Sequence, residues 1–239
     1  MKILFAGPSL PDAAALRQDG IEARPPAAHG DVLAAVRAGA TAIGLVDGNF
    51  EHVAPVWHKE ILHALEAGVT VFGAASMGAL RAAECDGFGM IGIGRIYEDY
   101  AAGRRVDDAD VALLHGPAEL GYPALSLPMV NVDATLDRLA ASRRLGDQDI
   151  ARLREAARAL FYKDRTWPAI LDRTGSGGDN RRQLLQLFHA EAVNQKRQDA
   201  LALLRTLTDF RPQGPAKRGD WTFRVTTLWR TASDQPRTQ

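Results

Sequence analysis

A serine lies where a predicted strand ends and a predicted helix begins. The β-branched and aromatic run Val69–Phe72 predicts a short buried strand. The helix formers of Ala79–Glu84 predict a helix. Ser76 is at the apex of the turn between them and is followed by Met77 and Gly78. The unpaired N–H groups and the dipole at the start of a helix would stabilise an oxyanion at this point, so the turn suits a nucleophilic serine.

The same turn also has a purely structural interpretation. It is close to the G-x-S-x-G nucleophile elbow, except that Ala74 replaces the first glycine. Serine is common at helix N-caps, and the local pattern alone favours Ser76 as an N-cap. A nucleophilic serine needs a base as well, and the preceding predicted helix carries Lys59.

Lys59 could act as that base only as a neutral amine. An ordinary lysine has a pKa near 10.4, so its cation would have to be disfavoured by about 3–5 kcal/mol. The dipole at the first turn of the helix acts in this direction, and the neighbouring pocket candidate His58 would add to it. However, Trp57, Ile61 and Leu65 define an apolar stripe, and Lys59 falls on the opposite side of it. The helical pattern alone therefore favours a solvated lysine.

A Ser76–His115 pair is the runner-up for the same chemistry. Either Asp47 or Asp110 could orient the imidazole. Asp47 could instead bond the backbone of its own turn, as aspartate often does. His115 follows a predicted strand, so it could line the pocket or cap a turn.

Neither a metal nor a cofactor is predicted. His58 and His63 are five residues apart on the same predicted helix, so their rings point apart and do not form H-E-x-x-H. The stretch Gly87–Gly92 formally matches G-x-G-x-x-G, but it follows a helix, whereas a dinucleotide site follows a strand.

The elements that must position these residues alternate between strand and helix. This pattern predicts an α/β fold with an N-terminal, mostly parallel sheet and flanking helices. Ligands usually bind at the carboxyl ends of such strands, where Ser9, Asp47 and Ser76 would converge. The predicted strands are Lys2–Ala6, Ile21–Arg24, Thr41–Val46, Val69–Phe72 and Val111–Leu114.

A helical C-terminal region follows the α/β part. Helical spacing recurs after residue 129, in Ala134–Leu145, Asp147–Leu160, Trp167–Arg173 and Arg182–Leu207. We expect an α/β core over residues 1–140, a helical region over 141–210 and a loosely structured tail over 211–239. Within the tail, Trp221–Phe223 could dock on the protein or pair as a strand.

Composition indicates an ordinary globular protein of 239 residues, 46% hydrophobic and 24% charged. The one cysteine, Cys85, excludes an intramolecular disulfide. No apolar run approaches ~20 residues and the start lacks a signal-peptide pattern, so we expect a cytoplasmic protein without a membrane span.

Residues 1–140 carry 10 Lys and Arg against 18 Asp and Glu, and residues 141–239 carry 19 Lys and Arg against 11 Asp and Glu. No nucleic-acid motif accompanies the basic half, so no nucleic-acid partner is expected.

Several collinear segments together resemble the TfuA family, over roughly the first 140 residues. These are V-W-H-K-E-I-L at Val56–Leu62, V-F-G-A-A-S-M-G-A-L-R-A-A-E at Val71–Glu84, D-V-A-L-L-H-G-P at Asp110–Pro117, G-P-S-L at Gly7–Leu10 and G-L-V-D-G at Gly44–Gly48.

The resemblance implies a function. TfuA-like proteins work beside YcaO enzymes, which activate backbone amides of ribosomally made peptides with ATP. The family is described as hydrolase-like with a Ser–Lys pair, which Ser76 and Lys59 match by position. The expected role is release of sulfide from a ubiquitin-like sulfur carrier that ends in a thiocarboxylate, for thioamide formation. The alternatives are a non-catalytic adaptor that strengthens peptide binding by YcaO, or a small-molecule serine hydrolase.

Overall fold

The computed structural model describes residues 1–16, 20–49, 53–212 and 221–234. Its strands are β1 Lys2–Phe5, β2 Ile21–Arg24, β3 Ala42–Leu45, β4 Thr70–Ala74 and β5 Ile91–Ile93. Its α-helices are α1 Ala13–Leu16, α2 Asp31–Arg37, α3 His58–Glu66, α4 Met77–Cys85, α5 Arg95–Ala101, α6 Met129–Ala141, α7 Asp147–Arg158, α8 Trp167–Arg173, α9 Gly178–Glu191, α10 Gln195–Asp209 and α11 Thr227–Asp234. None of the helices in these ranges combines the length and the apolar character needed to span a bilayer.

The strands form one parallel sheet in the order β2-β1-β3-β4-β5. This confirms the predicted α/β fold with an N-terminal parallel sheet and a helical C-terminal region. Because β1, β3 and β4 are adjacent and parallel, their carboxyl ends lie at the same edge of the sheet. The loops that carry Ser9, Asp47 and Ser76 therefore begin side by side, as the strand pattern predicted.

Two apolar layers cover the faces of this sheet. Successive residues of a strand point to opposite faces. Ile3 and Ile43 accordingly join a buried cluster with the helices α2, α3 and α4. Leu4 and Phe72 join a second cluster that includes Leu203 of α10. Burial on both faces explains why the three central strands, β1, β3 and β4, are rich in apolar residues.

Contacts along the chain divide it into two compact units. The first comprises Met1–Arg104 with the described part of Gln198–Gln239, and the second comprises Arg105–Arg197. The predicted domain boundaries at residues 140 and 210 remain a prediction. The first boundary falls inside α6, and the second follows the end of α10.

The second unit is built from helices around its own apolar cluster. Trp167 of α8 stacks on Phe188 of α9, with ring centroids 4.3 Å apart. Beside the cluster, the buried Asp133 carboxylate of α6 accepts hydrogen bonds from Arg105 at 2.7 Å and from Arg154 at 2.8 Å. Charge-assisted bonds of this kind compensate the desolvation of a buried carboxylate.

The predicted strand Val111–Leu114 is wrong. The chain forms a 3-10 turn at Asp108–Asp110, and the nearest pairing is a single antiparallel bridge between His115 and Ala124. A strand needs a neighbouring strand for its backbone groups. This segment belongs to the helical second unit, in whose described residues no named strand is available for pairing.

The predicted single helix Arg182–Leu207 is two helices, α9 and α10. The helix ends because Ala192 adopts extended backbone angles, with φ −52° and ψ 130°. The Asn194 side chain then accepts the backbone N–H of Arg197 at 3.0 Å, which starts the next helix as an N-cap does.

The predicted tail is described only in part, because residues 213–220 and 235–239 lie outside the described ranges. Residues 221–234 contain α11, a helix that the sequence pattern did not predict. Trp221 docks on the sheet-packing cluster of the first unit. Docking was one of the two alternatives left open for Trp221–Phe223.

Candidate functional site

The turn between β4 and α4 is tight and strained. Ala75 adopts φ +67°, which is unusual for a residue with a Cβ atom. The N–H of Ser76 donates to the carbonyl of Ala74 at 2.7 Å, across a single residue, so the three residues form a γ-turn of the uncommon positive-φ form. Backbone of this kind costs about 1–3 kcal/mol and is concentrated at functional sites. The chain thereby changes from strand to helix within two residues, with Ser76 at the N-cap position.

Glycines let the start of α4 press against the sheet. A Cβ atom on Gly78 would lie 1.7 Å from the carbonyl oxygen of Leu45, and one on Gly73 would lie 2.1 Å from the carbonyl oxygen of Gly78. The N–H of Gly78 donates to the carbonyl of Val46 at 3.1 Å. The helix start is therefore fixed against β3 and β4, and Ser76 is fixed with it.

The Ser76 hydroxyl is half-buried and makes no capping bond. Ser76 thus occupies the N-cap position that the structural interpretation predicted, but its side chain does not cap. Within the described residues, the Ser76 hydroxyl and the Met77 N–H have no hydrogen-bond partner. The N–H groups of Gly78 and Ala79 are both engaged. A free hydroxyl beside a free N–H is what a nucleophile next to an oxyanion donor requires.

Asp47 joins the neighbouring loops. Its carboxylate accepts the Gly7 N–H at 2.8 Å, the Ser9 N–H at 3.0 Å and the Ser9 hydroxyl at 2.6 Å. Both Asp47 and Ser9 are buried. A Cβ atom on the following residue, Gly48, would meet the Met77 side chain at 2.7 Å. Asp47 therefore organises the loop after β1, and the adjoining Gly48 packs against the start of α4.

Lys59 lies in the first turn of α3 and is half-buried. Its Nζ donates to the Thr226 hydroxyl at 2.8 Å and lies 5.6 Å from the centroid of the Phe223 ring. No hydrogen bond joins Lys59 to Ser76 in the described part of the chain. The amine that the family resemblance pairs with Ser76 is therefore held by the C-terminal segment, residues 221–234.

His58 connects the first turn of α3 to the far end of α4. Its Nε2 lies 2.8 Å from Glu84 Oε2, and Arg81 donates to the same oxygen at 2.6 Å. Burial raises the pKa of Glu84, but the hydrogen bonds from His58 and Arg81 outweigh it, so the pKa is lower than usual. At 1.5 Å per residue, Glu84 is about 12 Å along the helix from Ser76. His58 therefore braces the two helices at a point remote from the serine.

His115 belongs to the second unit. Its Nδ1 lies 2.8 Å from the carbonyl of Gly116, and its ring packs edge-on against Tyr122 with centroids 5.5 Å apart. Asp110 in the same unit is buried and accepts a hydrogen bond from Arg105 at 2.8 Å. His115 therefore caps its own turn, and it belongs to a different compact unit from Ser76.

The residues around Lys59 that sequence reasoning missed are Thr226, Trp229 and His63. His63 packs against Phe223 and Trp229, with ring centroids 5.6 and 5.3 Å away. Thr226 is of a residue type that is common at helix N-caps and directly precedes α11, and this residue type could have indicated the helix start. No local signal could have linked these residues to α3, because 167 positions separate Lys59 from Thr226.

Possible metal ligands are scattered in this structure. Within the described ranges, no group of three or more His, Cys, Asp or Glu side chains is arranged to hold a metal ion. The stretch Gly87–Gly92 runs from a 3-10 turn into β5. A dinucleotide-binding glycine motif instead leads from a strand into a helix.

The fold and the turn define a class: a parallel α/β protein with a serine at the start of a helix, at the carboxyl edge of its sheet. Comparison with known families then identifies the chain more closely. The profile of the TfuA-like protein family matches residues 47–166, half of the chain, and includes both Lys59 and Ser76. The chain belongs to the TfuA-like protein family. A search of curated proteins gives no match.

Proposed function

We propose that this protein is the sulfur-delivery partner of a YcaO-type enzyme. It would release sulfide from a ubiquitin-like carrier protein that ends in a thiocarboxylate, for backbone thioamidation of a ribosomal peptide. Membership of the TfuA-like family supports the partnership with YcaO. One observation carries the hydrolytic part: among the described residues, neither the Ser76 hydroxyl nor the adjacent Met77 N–H has a hydrogen-bond partner, and both lie at a strained strand-to-helix turn.

The proposed reaction has two steps. Neutral Lys59 takes the proton of the Ser76 hydroxyl, and Ser76 Oγ attacks the thiocarboxylate carbonyl. The attack turns the carbonyl oxygen into an oxyanion, and the Met77 N–H stabilises it by donating a hydrogen bond. The Lys59 ammonium gives the proton that it took from Ser76 to the sulfur as the carbon–sulfur bond breaks, so hydrosulfide leaves for the YcaO active site and Lys59 is neutral again. Lys59 then deprotonates a water molecule that attacks the acyl ester, and the resulting ammonium protonates the departing Ser76 Oγ. The carrier is released as a carboxylic acid, which loses its proton to solvent and becomes a carboxylate. Lys59 must leave Thr226 before the first step.

Sulfide release from thiocarboxylated carrier tests this proposal. Ser76→Ala removes the nucleophile, so we expect the rate to fall at least about 100-fold. Ser142→Ala is the control, because Ser142 is an exposed serine at the end of α6 whose hydroxyl donates to Leu139. The proposal is wrong if Ser76→Ala retains the full rate. Hydrolysis of simple esters with no activity on the carrier would instead indicate a small-molecule hydrolase.

A non-catalytic adaptor is the second candidate. It is favoured by the engagement of Lys59 with Thr226 and Phe223, which is the arrangement of a structural surface lysine. In that case the protein raises the affinity of YcaO for its peptide, and Ser76 has no chemical role. Peptide binding by YcaO, measured with wild-type and Ser76→Ala protein, separates the two: an adaptor keeps its effect in the variant and releases no sulfide.

A further inference from the structure

The C-terminal segment, residues 221–234, is anchored on the first unit at its beginning. The indole N–H of Trp221 donates to the carbonyl of Phe88 at 3.1 Å. The two rings pack edge to face, with centroids 5.6 Å apart. Trp221 also packs against the apolar cluster beneath the sheet. A directed hydrogen bond together with apolar contact makes this a specific docking site.

A second anchor lies on α3. Phe223 and Trp229 contact each other at 5.2 Å and both contact His63 of α3. Trp229 is 6% exposed, so this residue of the segment is almost completely buried. Burial lowers the pKa of His63, the charge of Glu66 opposes this, and the charge of Arg37 adds to it. The neutral imidazole therefore suits this apolar contact.

The Thr226 hydroxyl caps the start of α11 and also binds the Lys59 amine. Thr226 Oγ1 accepts the Trp229 N–H at 3.3 Å and the Lys59 Nζ at 2.8 Å. The Lys59 ammonium also lies 5.6 Å from the Phe223 ring, within the range of a cation–π contact. Docking of the segment and capture of Lys59 are therefore coupled through the same residues.

We propose that the C-terminal segment is an autoinhibitory strap that holds Lys59 while it is docked. Its displacement frees the Lys59 amine to approach Ser76. This inference rests on the proposed hydrolase function for its effect on activity, but the capture of Lys59 is testable without it. The strap gives the protein a resting state in which serine and lysine are held apart, so release of sulfide is confined to complexes that displace the segment.

The first test measures how accessible Lys59 is in the full-length protein. An amine-reactive acetylating reagent is applied briefly, and modification is quantified by mass spectrometry with Lys163 of the second unit as the internal reference. Phe223→Ala and Thr226→Val each remove one contact to Lys59. We expect each variant to raise the rate of Lys59 modification at least about threefold. The rate should rise in proportion to the fraction of molecules in which the segment no longer holds the Lys59 amine. Phe161→Ala removes an exposed aromatic ring of the second unit and leaves the rate unchanged.

The second test measures sulfide release by the same variants. Phe223→Ala and Thr226→Val should raise the rate at least about threefold. In a Lys59→Gln background, Thr226→Val should leave the residual rate unchanged, because the strap acts through that lysine. If the segment only stabilised the fold, Thr226→Val would lower the rate of sulfide release both in the wild-type protein and in the Lys59→Gln variant.

The outcomes of the two tests separate the strap from the proposed function. Unchanged Lys59 modification in both variants overturns the strap. Raised modification with unchanged sulfide release, in a reaction that Ser76→Ala abolishes, overturns its control of activity. If Ser76→Ala releases sulfide at the full rate, the proposed function fails, and Lys59 modification alone decides whether the segment holds the amine.

Discussion

Replacing Gly78 by alanine puts a methyl group where the structure has no room for one. The added Cβ would lie 1.7 Å from the Leu45 carbonyl oxygen and 2.5 Å from its carbonyl carbon. Leu45 is in β3, which pairs with β1 on one side and β4 on the other. The carbonyl therefore cannot move without disturbing the centre of the sheet, and α4 has to retreat instead.

Two effects determine how much Gly78→Ala lowers the free energy of unfolding. Overpacking of a well-packed interior costs about 1–3 kcal/mol. Retreat of α4 also breaks the bond from the Gly78 N–H to the Val46 carbonyl, at about 0.5–1.5 kcal/mol. Gly78→Ala should lower the free energy of unfolding by about 1.5–4.5 kcal/mol. For a chain of this size, that loss lowers Tm by about 3–18 °C.

Thermal unfolding followed by circular dichroism measures this loss. Gly87→Ala is the matched control, because a Cβ atom on Gly87 would meet nothing within 4 Å. That variant should keep its free energy of unfolding within about 0.5 kcal/mol of the wild type. Equal Tm values for Gly78→Ala and Gly87→Ala would refute the inferred packing of α4 against β3.

Three further predictions concern the loops, the strap and the cysteine. Asp47→Asn replaces one acceptor of the Ser9 loop by an NH₂ group, so urea unfolding should show a loss of about 1–3 kcal/mol; a change below about 0.5 kcal/mol would contradict this role. The pKa of His63 is lowered in the folded protein, so the neutral imidazole stabilises the folded state. This stabilisation is complete above the ordinary histidine pKa near 6.5 and is lost as the pH falls below that value. As the pH is lowered from 7.5 to 5.5, the ¹⁹F resonance of 5-fluorotryptophan at Trp229 should therefore move towards its solvent-exposed position. A pH-independent resonance would show that protonation of His63 does not release Trp229. Burial raises the pKa of Cys85 to about 11, so a thiol reagent at pH 8 should modify it at least about 100-fold more slowly in the folded than in the unfolded chain; equal rates would show that Cys85 is exposed.

Much of the fold could be predicted from local patterns. The short stretch Ile21–Arg24, which Pro25 and Pro26 end, predicted a strand with the bounds that β2 has. Helical spacing predicted α8 at Trp167–Arg173 with the bounds that it has. The small residues around Ser76 predicted the turn, because few other sequences allow a strand and a helix to meet so closely. These features depend on neighbours in sequence, which periodicity and turn preferences describe well.

Contacts between distant residues could not be predicted in this way. The helical pattern placed Lys59 off the apolar stripe, and it is less buried than Ile61 of the same helix. Its partner, Thr226, was beyond the reach of any periodicity. The strand predicted at Val111–Leu114 failed for a related reason: strand formation depends on a pairing partner elsewhere in the chain, and the local composition does not report whether one is present.

The most direct test of the account is to look for a covalent intermediate at Ser76. Thiocarboxylated carrier is mixed with the protein, the reaction is quenched in acid within milliseconds to seconds, and conjugates are analysed by mass spectrometry. The account predicts an ester between the carrier C-terminus and Ser76 Oγ, which hydroxylamine cleaves and Ser76→Ala abolishes. Sulfide release at the full rate with the conjugate on another residue would contradict it.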